Sequence, residues 1–270
     1  MKKMPLFLVI FTFLSFLAFG DDDKLDSNNK AADDSAIERA LPADDFQNGL
    51  KFAEQGSFWE ALGAFKSYLK DHPDSFEVCY NLAGAYLSLG KCDDSIIWYK
   101  KALKLKHGDS DALIGLGISF RLSSQQNKAI PVLKEAVKNS PGNARAMTEL
   151  ALAYQSVEEF KSAVAWYERA LKVDPQDPAV YNFLGMVYGI MGNYDKAAEA
   201  FHAAIKIDPE YADAYLSLGA MLIAQQKKTG AGGGFAQARE ELNIARALFE
   251  KTGDNKSVER IDGLLKNIDN

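Results

Sequence analysis

The chain has 270 residues, 47% hydrophobic and 25% charged, with 31 Lys+Arg against 37 Asp+Glu for a formal charge of −6. This globular balance excludes a disordered chain, a collagen-like chain and a multi-span membrane protein. A pI near 5.2 argues against broad nucleic-acid binding, which needs a basic face, and two cysteines with three histidines are too few for a disulfide scaffold or an ordinary zinc site.

The first element is an address. Lys2 and Lys3 precede an uncharged apolar run, Leu6 to Phe19, interrupted only by Thr12 and Ser15. At ~1.5 Å per residue the run reaches ~21 Å, short of a ~30 Å hydrocarbon core. Ala18-Phe19-Gly20 puts small residues at −3 and −1 of a cleavage site. Residues 1–20 therefore read as a secretory signal peptide, which predicts an exported chain, periplasmic or cell-envelope associated, beginning at Asp21. An uncleaved membrane anchor is the alternative, and membrane association is expected only in that case. Residues 21–41 form an acidic linker and short lead-in; DDDKLDSNNKAADD holds too little apolar surface to fold alone.

From residue 42 the sequence repeats with a period of 34. Pro73, Pro141, Pro175 and Pro209 are spaced by multiples of 34, as are Gly56, Gly90 and Gly192. Repeats of 34 positions start at Pro42, Phe76, Ser110, Ala144, Pro178 and Ala212. Position 8 then reads Gly49, Ala83, Gly117, Ala151, Gly185 and Gly219, small every time. Position 11 is large: Phe52, Tyr86, Phe120, Tyr154, Tyr188 and Leu222. Position 20 reads Ala61, Ser95, Ala129, Ala163 and Ala197, and position 24 Phe65, Tyr99, Leu133, Tyr167 and Phe201. Positions 4, 7, 8 and 11 share one face of a first helix, and 20, 24 and 27 one face of a second, because residues three and four apart stack. Small residues at 8 and 20 let the two backbones approach, and a Gly or polar residue near 15 turns the chain. Asp-Pro or Ser-Pro near 31 and 32 stops the second helix.

In these columns the chain resembles the tetratricopeptide repeat family over residues 42–250, six repeats. The resemblance implies an all-α fold, a right-handed superhelical solenoid of antiparallel helix pairs with a concave surface that binds peptides or proteins. Three departures stand out. Repeat 1 carries Asp45 and Asn48 at positions 4 and 7, which suits a solubilising end. Repeat 3 carries Pro131 near the start of its second helix, where it loses little if it lies in the first turn. In repeat 6 the first helix runs from Ala212 to about Gln226, and seven inserted residues, including GAGGG at 230–234, read as a flexible connector. Phe235 then takes position 17, with Ala238, Leu242 and Ala245 at 20, 24 and 27. Residues 251–270 are expected to supply a C-terminal capping helix, about Ser257 to Ile268, with Val258, Ile261, Leu264, Leu265 and Ile268 as its apolar stripe.

Chemistry is mostly absent from the pattern. His72, His107 and His202 lack a second ligand at helical spacing, and Cys79 and Cys92 fall ~15 Å apart in an antiparallel hairpin, too far to bridge. The Gly-rich insert lacks the Gly-Lys-Ser/Thr of a phosphate loop. No catalytic set, metal site or cofactor is expected, and the chain reads as a non-enzymatic scaffold or adaptor. The resemblance implies a groove lined by first-helix positions 2, 5, 6, 9, 12 and 13. Its candidate partner-binding residues are Tyr80, Asn81, Ile114, Ile118, Arg121, Arg145, Leu152, Gln155, Asn182, Phe183 and Met186. Apolar members would anchor a polypeptide, and Asn81, Gln155 and Asn182 would satisfy its backbone. The lysine-and-asparagine clamp with which some relatives hold a chaperone tail is missing: Asn81 matches, but Phe46, Leu50, Asp111 and Gly115 stand at the other positions. Two alternatives remain open at this point: a carrier of an apolar small ligand or acyl chain in the same groove, and a membrane-anchored scaffold.

Overall fold

The structure, a computed structural model, describes residues 45–230 and 234–269. The signal peptide and linker lie outside the described residues. Thirteen helices are present among the described residues, and no strand. They divide between two compact units, the first ending at Asn139 and the second beginning at Ser140.

The first unit contains α1 (Asp45–Glu54), α2 (Phe58–Asp71), α3 (Phe76–Ser88), α4 (Cys92–Leu105), α5 (Ser110–Leu122) and α6 (Gln126–Asn139). The second contains α7 (Ala144–Ser156), α8 (Phe160–Val173), α9 (Pro178–Ile190), α10 (Tyr194–Ile207), α11 (Ala212–Thr229), α12 (Gly234–Thr252) and α13 (Asn255–Asp269). Within each unit consecutive helices pair as hairpins, and each hairpin packs on the next. α13 packs on α12 and touches α11.

The helix boundaries recur every 34 residues because the same capping chemistry recurs. Ser75, Asp109, Asn143 and Asp177 each accept a hydrogen bond from the backbone N–H three residues on, that of Val78, Ala112, Ala146 and Val180. Such a cap contributes about 1 kcal/mol. The first helix of each of the first five repeats closes with the N–H of position 16 donating to the carbonyl of position 11: Ser57 to Phe52, Lys91 to Tyr86, Gln125 to Phe120, Glu159 to Tyr154 and Asn193 to Tyr188. That closure needs a left-handed residue at position 15. Gly56, Gly90 and Gly192 supply it, and Ser124 and Glu158 adopt φ of 58° and 61° in the other two repeats. Lys70, Lys104, Lys138, Lys172 and Lys206 fall in the last turn of their helices, where a cation complements the helix dipole.

The hairpin interior explains the small residues at position 8. A Cβ on Gly49 would come within 2.5 Å of the Phe65 ring, and one on Gly185 or Gly219 within 2.7 Å of Phe201 or Leu242. Gly117 stands in the same relation to Leu133. Where position 8 is alanine, Ala83 and Ala151, position 24 is tyrosine. Those rings lean toward the next repeat: Tyr99 lies against Gly115, and Tyr167 stacks on Phe183 with centroids 6.1 Å apart.

Three sequence expectations change. Pro131 is the sixth residue of α6, beyond the first turn, so the Asn127 carbonyl has no N–H donor four residues on. The first helix of repeat 6 is longer than expected: α11 continues to Thr229 and ends on Gly230 at φ 68°, and Gln226 Oε1 accepts from the Gly234 N–H at 3.2 Å as α12 begins. The first repeat is not a polar end, since Asp45 is buried and Phe46, Leu50 and Phe52 pack against the core of α2 and α3. Cys79 and Cys92 are free thiols, both raised above the usual range by burial.

Candidate functional site

The predicted groove residues fall into two sets, one in each unit. In the first unit Tyr80 and Asn81 sit on α3, and Ile114, Ile118 and Arg121 on α5. Tyr80 is half-buried and meets Tyr99 edge-on, with ring centroids 5.7 Å apart. The Tyr99 hydroxyl end lies over Gly115, where any Cβ would come within 2.5 Å of its Oη. Asn81 is buried, and its Nδ2 donates to the Glu77 carbonyl at 2.7 Å, so its donor serves its own helix. Ile114 and Ile118 are 0% and 1% exposed. They are core residues and present no apolar surface to a partner, contrary to the expectation from position alone. Arg121 is half-buried and engaged within the protein; its guanidinium partly offsets the upward shift of Cys92.

In the second unit Arg145, Leu152 and Gln155 lie on α7, and Asn182, Phe183 and Met186 on α9. Leu152, Phe183 and Met186 are half-buried, which suits anchors that are held in place yet reachable. The Tyr167 hydroxyl donates to Gln155 Oε1 at 2.8 Å, fixing the amide beside the Tyr167–Phe183 stack. Arg145 is half-buried and engaged. Asn182 is 4% exposed; its Nδ2 points to Met186 Sδ at 4.0 Å, and its Oδ1 has no hydrogen-bond partner among the described residues. Of the three amides expected to serve a ligand backbone, Asn182 is the one with a buried acceptor unspent.

Sequence reasoning missed Tyr99, Tyr167 and Tyr211. The first two come from position 24 of a second helix but reach position 6 of the next repeat. The signal was available: tyrosine stands at 24 only where alanine stands at 8. Tyr211 precedes α11, where the four preceding repeats supply Ser, Asp, Asn or Asp as caps, and it provides no side-chain cap. Its hydroxyl is within hydrogen-bond reach of the Asn182 side chain, and burial, with Asp213 and Asp177 nearby, raises it well above the usual tyrosine range.

His72 is exposed and stacks on Tyr68 with centroids 4.0 Å apart, and His107 and His202 are exposed on the surface. Among the described residues no group of three His, Cys, Asp or Glu could hold a metal ion, and no helix is long and apolar enough to cross a membrane.

Comparison with known proteins agrees with this architecture. A tetratricopeptide repeat family model matches residues 46–112 and 114–179, and a model of the cilia and flagella-associated protein 70 middle TPR-like domain matches 147–262. No curated protein matches the chain. Among solved structures, a tetratricopeptide repeat protein from Parabacteroides merdae is 19% identical with a TM-score of 0.65, over 90% of this chain and 87% of that one. MamA from Desulfovibrio magneticus is 24% identical with a TM-score of 0.57, over 67% and 99%. YrrB, described as a TPR protein with an unusual peptide-binding site, is 20% identical with a TM-score of 0.52, over 75% and 99%. The structural likenesses show the fold; together with the two family models and the 34-residue columns, they identify the chain as a member of the tetratricopeptide repeat family.

Proposed function

We propose that the chain is an exported, non-enzymatic scaffold that binds a polypeptide along the concave first-helix surfaces of its repeats, in a cell-envelope complex. The observation that carries this reading is the face of α7 and α9. Half-buried Leu152, Phe183 and Met186 lie among the fixed amide of Gln155 and the unspent acceptor of Asn182. Apolar anchors with a few convergent polar groups are what helix-in-groove and extended-peptide docking require. YrrB's description as a peptide-binding repeat protein supports the same reading. Export rests on residues 1–20, and N-terminal sequencing of the native protein should find Asp21 first.

The test is selection from a displayed peptide library on the mature protein, followed by affinity measurement on variants. Phe183→Ala should weaken a selected peptide by ~2 kcal/mol or more without lowering the melting temperature appreciably. Lys172→Glu, an exposed change at the end of α8, should leave affinity alone. An unchanged affinity in Phe183→Ala together with a loss in Lys172→Glu would defeat the concave reading.

A further inference from the structure

Three observations in the second unit converge on one place. Asn182 is 4% exposed with Oδ1 unpartnered, a costly arrangement for a buried amide. Tyr211 stands where the four preceding repeats carry a capping Ser, Asp or Asn, so α11 forgoes a side-chain cap, and the Tyr211 side chain lies close to the Asn182 amide without a hydrogen bond to Oδ1. Asp213, one residue into α11, is half-buried, and its charge and that of Asp177 at the start of α9 both act on Tyr211.

These groups are mostly acceptors. Asp177 Oδ1 is committed to the Ala179 and Val180 N–H groups at 2.9 and 3.3 Å. Asp254 accepts from the Ser257 N–H at 3.1 Å and the Ser257 hydroxyl at 2.7 Å. Asp213 has no such bond among the described hydrogen bonds. Burial and the neighbouring Asp254 push its carboxyl up, and the exposed Arg260 guanidinium on α13 only partly offsets them.

We propose that the nook formed by Asn182, Tyr211 and Asp213 receives the cationic end of a lysine or arginine side chain of the bound polypeptide. The ammonium or guanidinium donates to Asn182 Oδ1 and Asp213, and Tyr211 walls the pocket. A donor-rich cation satisfies both the unspent carbonyl and the undercompensated carboxylate, whereas an anion would meet Asp213, Asp177 and Asp254. Met186, half-buried beside Asn182, gives the aliphatic stem of such a side chain an apolar contact. The inference deepens the polypeptide-binding reading and rests on it.

The experiment uses the mature chain and three blocked heptapeptides, Gly-Ser-Leu-Xaa-Leu-Ser-Gly with Xaa lysine, norleucine or glutamate, titrated by NMR with the side-chain amide of Asn182 observed. The lysine peptide should bind about tenfold or more tighter than the norleucine peptide and shift the Asn182 amide. Asp213→Asn and Asn182→Leu should each abolish that preference. Asn182→Leu should melt no lower than wild type, because it removes an unsatisfied group, and Arg260→Ala should strengthen lysine binding by removing a competing cation. Phe183→Ala should weaken all three peptides alike. Binding without a lysine preference overturns the inference and leaves the polypeptide reading standing; no binding of the lysine peptide overturns it as well, while library selection tests that reading separately. A lower melting temperature for Asn182→Leu would mean that Tyr211 already satisfies the amide, and would also overturn it.

Discussion

Two seams of the first unit and one of the second join successive repeats through the same pair of positions with opposite chemistry. Position 25 of a second helix meets the large residue at position 11 of the next first helix. In the first unit position 25 is lysine: Lys66 lies 5.9 Å from the Tyr86 ring centroid and Lys100 5.4 Å from that of Phe120. Between repeats 4 and 5, in the second unit, it is Glu168, which accepts a hydrogen bond from the Tyr188 hydroxyl at 2.9 Å; between repeats 5 and 6 the two positions hold His202 and Leu222. Lys196, from the hairpin partner, takes the Tyr188 ring face at 5.4 Å. The first unit adds a buried hydroxyl pair across its seam. Ser95 Oγ lies 2.8 Å from Ser119 Oγ and 2.9 Å from the Ala83 carbonyl, and Ser119 Oγ lies 2.7 Å from the Gly115 carbonyl, so the two hydroxyl protons serve two of these three contacts at a time. The hairpin interior is therefore common property of the repeat, while the seam is negotiated locally. A cation over a ring asks only for an aromatic face, whereas the Glu–Tyr bond asks for a hydroxyl.

That division makes interior substitutions costly and alike in both units. Leu82→Ala and Leu150→Ala each remove a fully buried position-7 side chain. Each should cost ~2–5 kcal/mol in denaturant unfolding. A difference larger than that range between them would mean that the interiors are not equivalent.

Gly185→Ala comes next, at ~1–3 kcal/mol of overpacking against Phe201, partly offset by alanine's better helix propensity. Ala83 and Ala151 occupy the same column without a clash because Tyr99 and Tyr167 lean away. A neutral Gly185→Ala would show that Phe201 can lean likewise, and would erase the distinction between the glycine and alanine hairpins.

The seam itself is tested by removing one oxygen. Tyr188→Phe should cost ~0.5–1.5 kcal/mol, the usual worth of a partly buried hydrogen bond, while Tyr86→Phe should be close to neutral because its ring is kept. The pH dependence follows. Burial first, then the Glu168 bond and charge, raise Tyr188 from 10.0 to about 12. Its contribution is present below pH 10 and is lost as pH rises from 10 toward 12, where the unfolded chain releases the proton and the folded chain still holds it. Tyr188→Phe should flatten that part of the alkaline unfolding profile; an unchanged profile would assign the alkaline loss elsewhere.

What the sequence made legible follows from the same division. Columns 8, 20 and 24 are constrained by backbone approach inside one hairpin, so they repeat and can be read. The seams pair residues about twenty apart on different repeats, and either charge at position 25 is compatible with the same helix. The groove was legible by face but not by depth. A position number sets the direction of Ile114 and Ile118 around α5, yet they are fully buried, because what leans over a face comes from elsewhere, as Tyr99 does over Gly115. The sequence pattern ends α11 near Gln226, but the helix runs on to Thr229 and stops at Gly230, whose left-handed φ of 68° closes it. Tyr211 was visible only as a missing cap.

The smallest expected effect is also the one that most directly separates the two seams. Lys100→Gln removes the cation from Phe120 while keeping most of the aliphatic cover. It should cost ~0.5–1 kcal/mol, the worth of an exposed cation–π contact. The loss should be no larger than that, because Lys128 also lies over the Phe120 ring, at 5.9 Å. Lys100→Glu sharpens the test. Phe120 has no hydroxyl to donate, so the carboxylate that serves Tyr188 would find no partner here, and the first seam should lose at least as much as in Lys100→Gln. Pairing Lys100→Glu with Phe120→Tyr recreates the second unit's chemistry in the first. If the exchange depends only on the two positions, a double-mutant cycle by denaturant unfolding should show a favourable coupling of ~0.5 kcal/mol or more. A coupling of zero would mean that the backbone around Glu168 and Tyr188, rather than the residue pair, makes that bond possible.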